Sequence, residues 1–328
     1  MLDLSGKTVL LFCPKFFDYQ KEIKSTLEGF GARVIWFDDR PSNKFLAKAL
    51  IRLNKNFLKR SIKSYYNNIF EKIKDHKIDY LFFVNPEAIS TESLNTLKSI
   101  FPLAKTILYM WDSFNNRKQN IELLPLFDSK FTFDPNDATK YQLQFRPLFY
   151  SQVYQRNSSS KKVYDLLFIG TAHSDRYTFV KRLTGKMAES KIKLYFYLSS
   201  KTLFFAKKAF DLQFRRVKYK DISFQSLTHK NISLLMNQST AILDINHPEQ
   251  IGLTMRTLET LGVQCKLITT NRDILKYDFY DPDNILLIDR ENPVIDRSFF
   301  TKSFTVPAQE ILFKYSIGGW ATEIFQTA

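Results

Sequence analysis

The sequence predicts an α/β protein made of two doubly wound domains that face each other across a cleft. Short apolar runs alternate with helical patterns in both halves of the chain. A polar segment at residues 155–162, QRNSSSKK, separates the two series. With 328 residues, 44% of them apolar and 15% aromatic, the chain exceeds the usual size of one compact domain and has enough apolar surface for two cores.

In the first series, residues 7–13 (KTVLLFC) predict a buried strand, 19–30 a helix, 33–37 (RVIWF) a strand, and 45–74 one or two helices. Strands at 79–84 (DYLFFV), 105–110 (KTILYM) and 130–133 follow, with a helix at about 91–100. The second series gives strands at 165–169 (DLLFI), 193–197 (KLYFY), 240–245 (TAILDI), 265–269 (CKLIT) and 284–288 (NILLI), with a helix near 253–261. Near-continuous apolar strands alternating with helices imply parallel sheets covered on both faces. The expected division is a domain over 1–154, a linker over 155–162 and a second domain over 163–310.

Residues 1–7 hold no basic segment leading into an apolar one, and no run of about 18 uncharged apolar residues occurs, which predicts a protein neither exported by a signal peptide nor spanning a membrane. Cys13 and Cys265 fall in apolar runs without a metal-ligand pattern, as expected of reduced core thiols in a cytoplasmic protein. The net charge of +15 selects for phosphates, nucleic acids or anionic lipid. From Lys44 to Lys77 ten Lys or Arg stand against only Glu71 and Asp75, interleaved with apolar residues at helical spacing; a second basic stretch covers 201–220. Such a helix either lies on an anionic membrane surface or packs its apolar side on the sheet and leaves its cations in water.

In doubly wound sheets ligands bind beyond the carboxyl ends of the strands, so the loops after each strand carry the candidates. The fullest segment is 244–271, DINHPEQIGLTMRTLETLGVQCKLITTN. It reads as strand, polar loop, helix starting near Thr254, and strand. The backbone of Gly252, Leu253 and Thr254 permits close approach of a diphosphate to the amides of a helix start. Arg256 supplies a cation in the first turn, and Glu259, on the same helix face, can accept from a ribose diol. His173 and His247 lie in loops next to this segment, as donors to the same diphosphate or as solvated loop residues. In the first half, Asp112 and Asp18 follow strands and are the candidates for a base, with helix capping as the plain alternative for each. The histidines share no metal-ligand spacing, and the triplet Asp281, Pro282, Asp283 reads as a turn, so no metal site is expected.

Gly252, Arg256 and Glu259, followed by LITTN, resemble the donor-binding element of GT-B glycosyltransferases, two-domain Rossmann-like enzymes, and particularly the bacterial capsule, lipopolysaccharide and spore-maturation-like branches. LFIGTAHSDR is similar to the family's strand, glycine and polar loop ending in arginine, which assigns Gly170, Thr171 and Arg176 to the donor pocket. Residues 315–325 (YSIGGWATEIF) resemble the family's closing helix, so 311–328 is expected to return to the first domain. Trp111 to Ser113 and FDPND resemble acceptor-domain loops. The resemblance implies a metal-independent sugar transferase with a nucleotide-sugar donor, no further cofactor, and a saccharide or lipid-linked acceptor. Its setting would be surface-polysaccharide assembly, on the cytoplasmic face of a membrane and anchored through residues 44–77. Glu259 would hold the ribose, Arg256 the diphosphate, and Phe224 would border the base. The chain departs from the retaining pattern, with Gly252 where a first glutamate would stand and Gln264 where a glycine would. Two other readings are a nucleotide-sugar epimerase of the same architecture, which the scarcity of clustered His and Glu disfavours, and a nucleic-acid-binding protein, for which no recognised motif is visible.

Overall fold

A computed structural model describes residues 2–44, 50–51, 54–172, 175–187, 189–247 and 251–328. By its contacts the chain divides into two units, residues 1–148 with 317–328, and residues 149–316.

The first unit holds β1 (Thr8–Phe12), β2 (Arg33–Phe37), β3 (Tyr80–Val84), β4 (Lys105–Met110), β5 (Ser129–Thr132) and β6 (Gln144–Phe145), all parallel, in the order β2-β1-β3-β4-β5-β6. Its helices are α1 (Tyr19–Gly29), α2 (Lys59–Ile73), α3 (Thr91–Ile100) and α4 (Pro135–Tyr141). The second unit holds β7 (Tyr164–Thr171), β8 (Ile192–Tyr197), β9 (Ile222–Ser223), β10 (Ser239–Asp244), β11 (Lys266–Thr269) and β12 (Ile285–Leu287), again parallel, in the order β12-β11-β10-β7-β8-β9. Around them stand α5 (Arg176–Gly185), α6 (Lys201–Phe210), α7 (His229–Asn237), α8 (Met255–Gly262), α9 (Ser298–Thr301) and α10 (Gln309–Tyr315). Helix α11 (Ile317–Gln326) closes the chain and belongs to the first unit.

Successive strand residues serve opposite faces, and both faces are buried. In the second sheet Leu166, Phe168, Ala241 and Leu243 enter one core, while Leu167, Ile242 and Leu267 enter the other. That double burial is why the strands read as apolar runs. In the first sheet Leu10, Phe12, Leu81 and Phe83 face the core shared with α2 and α3. On the opposite face α11 packs Trp320, fully buried, edge-on to Tyr109 at 4.9 Å, and Phe325 against Phe82 at 5.3 Å.

Residues 315–325, expected as one helix, form the end of α10 and most of α11. Ser316 is extended between them, because Tyr315 accepts from the Tyr150 N–H and Ser316 bridges to Tyr150. The division by contacts falls after Leu148 and after Ser316, against expected edges at 154 and 310. Tyr150 and Tyr154 are buried in the second unit's core beside α8. The 155–162 segment is tied there as well, with Lys162 Nζ donating to the carbonyls of Asn237 and Ser239.

Gly262 ends α8 at this contact, where a Cβ would overlap the Tyr154 carbonyl oxygen and the Tyr150 ring. Gly262→Ala therefore lowers stability by about 1–3 kcal/mol, as overpacking does. A reduced urea midpoint at unchanged slope is the expected readout, and an unchanged midpoint would show that the 150–154 segment moves aside freely.

Of the basic stretch 44–77, residues 45–49 and 52–53 lie outside the described residues. Within it Lys55–Leu58 is a 3₁₀ turn, and α2 spends its apolar face, Ile62, Tyr66, Ile69, Phe70 and Ile73, on the first unit's core. Its cations Lys59, Arg60, Lys63, Lys72 and Lys74 stay exposed. Cys13 and Cys265 are buried free thiols, and burial raises the pKa of both. Among the described residues no helix is long and apolar enough to cross a membrane.

Candidate functional site

A doubly wound sheet opens a crevice where neighbouring strands have their connections on opposite sides. In the second sheet that point lies between β7 and β10. The carboxyl end of β7 brings Gly170 and Thr171, and that of β10 brings Asp244, followed by residues 245–247. Helix α8 starts beside them.

Thr254 is the N-cap of α8: its backbone is extended and its side-chain oxygen accepts from the Thr257 N–H. Asp244 fixes this start, its Oδ2 accepting from Thr254 Oγ1 at 2.5 Å and Thr257 Oγ1 at 2.7 Å. Asn271, after β11, donates to the Ile251 carbonyl at 2.9 Å and so holds the preceding loop. The first-turn amides of such a helix have no intrahelical acceptor and favour an anion. Gly252 is buried, and the Leu253 side chain lies in the core at 1% exposure, so a ligand meets the backbone there and not the leucine side chain.

Two guanidinium groups converge on the same strand end. Arg176, the first residue of α5, donates to the Ile245 carbonyl at 2.6 Å and to Thr171 Oγ1 at 3.3 Å. Arg290, after β12, donates to the Asn246 carbonyl at 3.1 Å and makes a two-pronged pair with Asp175 at 2.8 and 2.9 Å. Burial lowers the Arg176 pKa, with Asp244 opposing and the nearby Arg290 charge adding to the fall. Asp175 and Asp244 balance these two guanidinium groups in formal charge, so what the site offers an anion is guanidinium N–H donors beside the free amides of a helix start. The sequence reading missed Arg290. It lies after the last strand of the series, so the rule that selected the other loops would also have selected this one.

Arg290 holds the Asp175 carboxyl below the usual aspartate value. A depressed folded pKa adds stability that is full above the unfolded value and is lost as pH falls through the folded one. The Asp175 side chain is 41% exposed, so Arg290→Ala costs about 1 kcal/mol or less. Its loss should appear as a melting temperature that falls less on acidification below about pH 4 than that of the wild type. Equal acid sensitivity in the two proteins would refute the coupling.

Arg256 and Glu259 meet each other. Arg256 Nη1 pairs with Glu259 Oε2 and also contacts Met236 Sδ at 3.4 Å. The Glu259 side chain is 3% exposed and that of Arg256 is 17% exposed. Tyr154 stands beside the pair, its hydroxyl 2.6 Å from His229 Nδ1, and burial with the Glu259 charge raises its pKa. A spacing of three residues brings side chains together on a helix, so the pattern that assigned both to a ligand equally specifies this ion pair. Tyr154 and His229 come from distant segments and gave no sequence signal. His247 is half-buried, and His173 lies outside the described residues. Phe224 follows β9 in an aromatic group with Tyr219, 5.4 Å away, and Phe204.

In the first unit the switch lies between β1 and β3. Asp112, after β4, accepts from the Ser113 N–H at 3.1 Å and Asn116 Nδ2 at 2.9 Å, and pairs with Arg117 at 3.1 Å. Asp18 has a left-handed backbone, φ 62, as does Phe17 before it, and its side chain is 56% exposed beside Lys21. It precedes α1 without a side-chain capping bond. Consecutive non-glycine residues in this region store strain, which clusters at ligand sites. Phe16 and Phe17 are each 46% exposed here, and Trp111 lies 6.2 Å from Phe16. Asn85, at the end of β3, is also left-handed and buried, with its Oδ1 lacking a hydrogen-bond donor. In the triplet 281–283 the Asp281 carboxylate accepts from the Asp283 N–H, a turn contact, and no cluster of three or more His, Cys, Asp or Glu is placed to hold a metal among the described residues.

No family model matches the chain, and no curated protein matches it. Similarity appears among solved structures. Alr3699/HepE of Anabaena, solved in complex with UDP and glucose, has a TM-score of 0.60 at 10% identity, covering 98% of this chain and 99% of its own. AviGT4, a glycosyltransferase involved in avilamycin A biosynthesis, has a TM-score of 0.57 at 10% identity, covering 98% and 96%. The apo form of the lipopolysaccharide outer core galactosyltransferase WaaB gives 0.53 at 12% identity, covering 98% and 100%. The chain has the GT-B fold. In this GT-B chain the second unit carries the two guanidinium groups at the α8 start, and the first carries the exposed aromatics and Asp18.

Proposed function

We propose that the protein is a glycosyltransferase that moves a sugar from a nucleotide-sugar donor to a saccharide or lipid-linked acceptor in bacterial surface-polysaccharide assembly. The observation that carries this reading is the convergence of Arg176, Arg290 and the capped start of α8 on the carboxyl ends of β7 and β10. Such a site suits a diphosphate, whose charge grows as the glycosidic bond breaks. The GT-B fold supports it, and HepE, of the same fold, was solved with UDP and glucose.

In this reading the amides from Gly252 to Arg256, with Arg176, receive the diphosphate, and Thr171 and Gly170 close the pocket. Glu259, oriented by Arg256, accepts from the ribose hydroxyls, and His247 and Phe224 border the nucleotide. These groups would neutralise the leaving diphosphate without recruiting a metal. On the acceptor side Asp112 and Asp18 are the candidate bases. Asp112 is engaged by three local contacts and Asp18 pairs with Lys21 at 3.0 Å; we favour Asp18 because it is the more exposed of the two and neighbours aromatic rings on which a sugar can stack. The exposed cations of residues 44–77 adsorb the protein to the anionic cytoplasmic face of a membrane.

The test is a thermal-shift screen of the purified chain against UDP, GDP, CMP, dTDP and their sugars, with single-stranded DNA as control. Stabilisation by one nucleoside diphosphate and its sugar supports the reading and names the donor class. Stabilisation by DNA alone would sink it.

A further inference from the structure

Helix α6 is amphipathic the wrong way round for a helix that merely covers a sheet. Phe204 is its one buried residue, at 2% exposure. Its outer face carries Phe205, Ala206, Ala209 and Phe210, a spacing of i, i+1, i+4 and i+5 that forms one stripe, and all four are exposed. Phe205 is 61% and Phe210 90% exposed, and Leu212, just beyond the helix, is 72% exposed. A surface helix ordinarily turns such residues inward. A contiguous apolar group of this kind, rimmed by polar residues, marks an interaction surface.

The rim is mainly cationic, with Asp175 beside Leu212 and Arg216 as an acidic neighbour. Lys201, Arg215, Arg216, Lys218 and Lys220 are all exposed. Residues 201–220 contain a single carboxylate, Asp211, which pairs with Lys207 at 3.7 Å. Tyr219, 45% exposed, stacks on Phe205 at 6.0 Å and sits between the apolar stripe and the cations.

We propose that this surface docks on an anionic lipid bilayer, with Phe205, Phe210 and Leu212 entering the headgroup and acyl boundary and the cations meeting lipid phosphates. Protruding apolar tips ringed by cations complement an anionic interface in both depth and charge. Nucleic acid fits less well, since Leu212 offers a base no stacking face. The surface belongs to the second unit, shares no residue with 44–77, and stands whether or not the transferase reading holds.

The test is flotation of the full chain with vesicles of phosphatidylcholine alone, and of phosphatidylcholine mixed equally with phosphatidylglycerol. Binding to the mixed vesicles only is expected, and Phe210→Ser with Leu212→Ser should weaken it at least tenfold. A second variant, Phe210→Trp, reports locally: its added indole should shift to shorter wavelength on binding and be quenched by brominated lipid. Wild-type binding by the double serine variant, or no quenching of the indole at position 210, overturns the proposal. So does binding to single-stranded DNA by a chain that ignores both kinds of vesicle.

Discussion

If Glu259 holds the donor ribose as proposed, Glu259→Gln should raise the dissociation constant for the preferred nucleoside diphosphate about tenfold to a hundredfold, the worth of a hydrogen bond to a charged group. The fold should survive, because glutamine keeps the shape and one accepting oxygen for Arg256. Glu259→Ala is expected to lose the nucleotide as well, but it also leaves the largely buried Arg256 guanidinium without its carboxylate. That costs up to about 3–5 kcal/mol, so its melting temperature falls even without ligand. The two effects separate in a cycle of Glu259→Ala, Arg256→Ala and the double variant. If the pair is purely structural, the double variant recovers both stability and nucleotide affinity. If Glu259 contacts the ribose, stability recovers in part and affinity does not. An unchanged dissociation constant in a folded Glu259→Gln protein, measured by calorimetry, removes Glu259 from the donor site.

The strands were legible in the sequence wherever two buried faces made them apolar throughout, as in KTVLLFC and TAILDI. Gln144–Phe145 and Ile222–Ser223 have two residues each and carry no such pattern. Helix α6 was missed for a different reason, since its apolar residues point away from the sheet and the stretch registers only as charge. Around the candidate site, the Thr254 start and the sharing of one face by Arg256 and Glu259 followed from short-range spacing. The partners of those groups did not. Arg290 reaches Asp175 across 115 positions, and Tyr154 reaches His229 across 75, and a single sequence holds no local trace of contacts formed only when the sheet assembles.

The same holds for the largest expected loss of stability. Asp39→Ala should cost about 3–5 kcal/mol, because it strands the buried N–H groups of Glu87 and Ala88 and leaves the Tyr66 hydroxyl only the Asp39 backbone carbonyl. Asp39 is fully buried after β2, and it accepts from the Glu87 and Ala88 N–H groups after β3 and from Tyr66 of α2 at 2.8 Å. Burial pushes the Tyr66 phenol well above its ordinary range, so it remains a donor. Asp39→Asn is expected to cost only about 1 kcal/mol, since one amide oxygen can still accept from both backbone groups while the NH₂ turns to the Tyr66 oxygen. The two variants also differ from wild type in their response to pH. Burial raises the Asp39 pKa, and the Glu87 carboxylate adds to this against the hydrogen bonds that lower it. A raised folded pKa gives stability that is full below the unfolded value of 3.8 and is lost as pH rises through the folded one. The deficit of Asp39→Asn in urea unfolding should therefore be greatest at low pH and shrink as pH rises from about 4. A deficit independent of pH would mean that Asp39 is ionised alike in both states. Because Glu87 also pairs with Arg117, and Arg117 with Asp112, Asp39→Ala should disturb the loop after β4 as well as the fold. If Asp112 took part in the reaction, the folded fraction of that variant would turn over more slowly per molecule, whereas an unchanged rate would confine Asp39 to structure and count against Asp112 as the base.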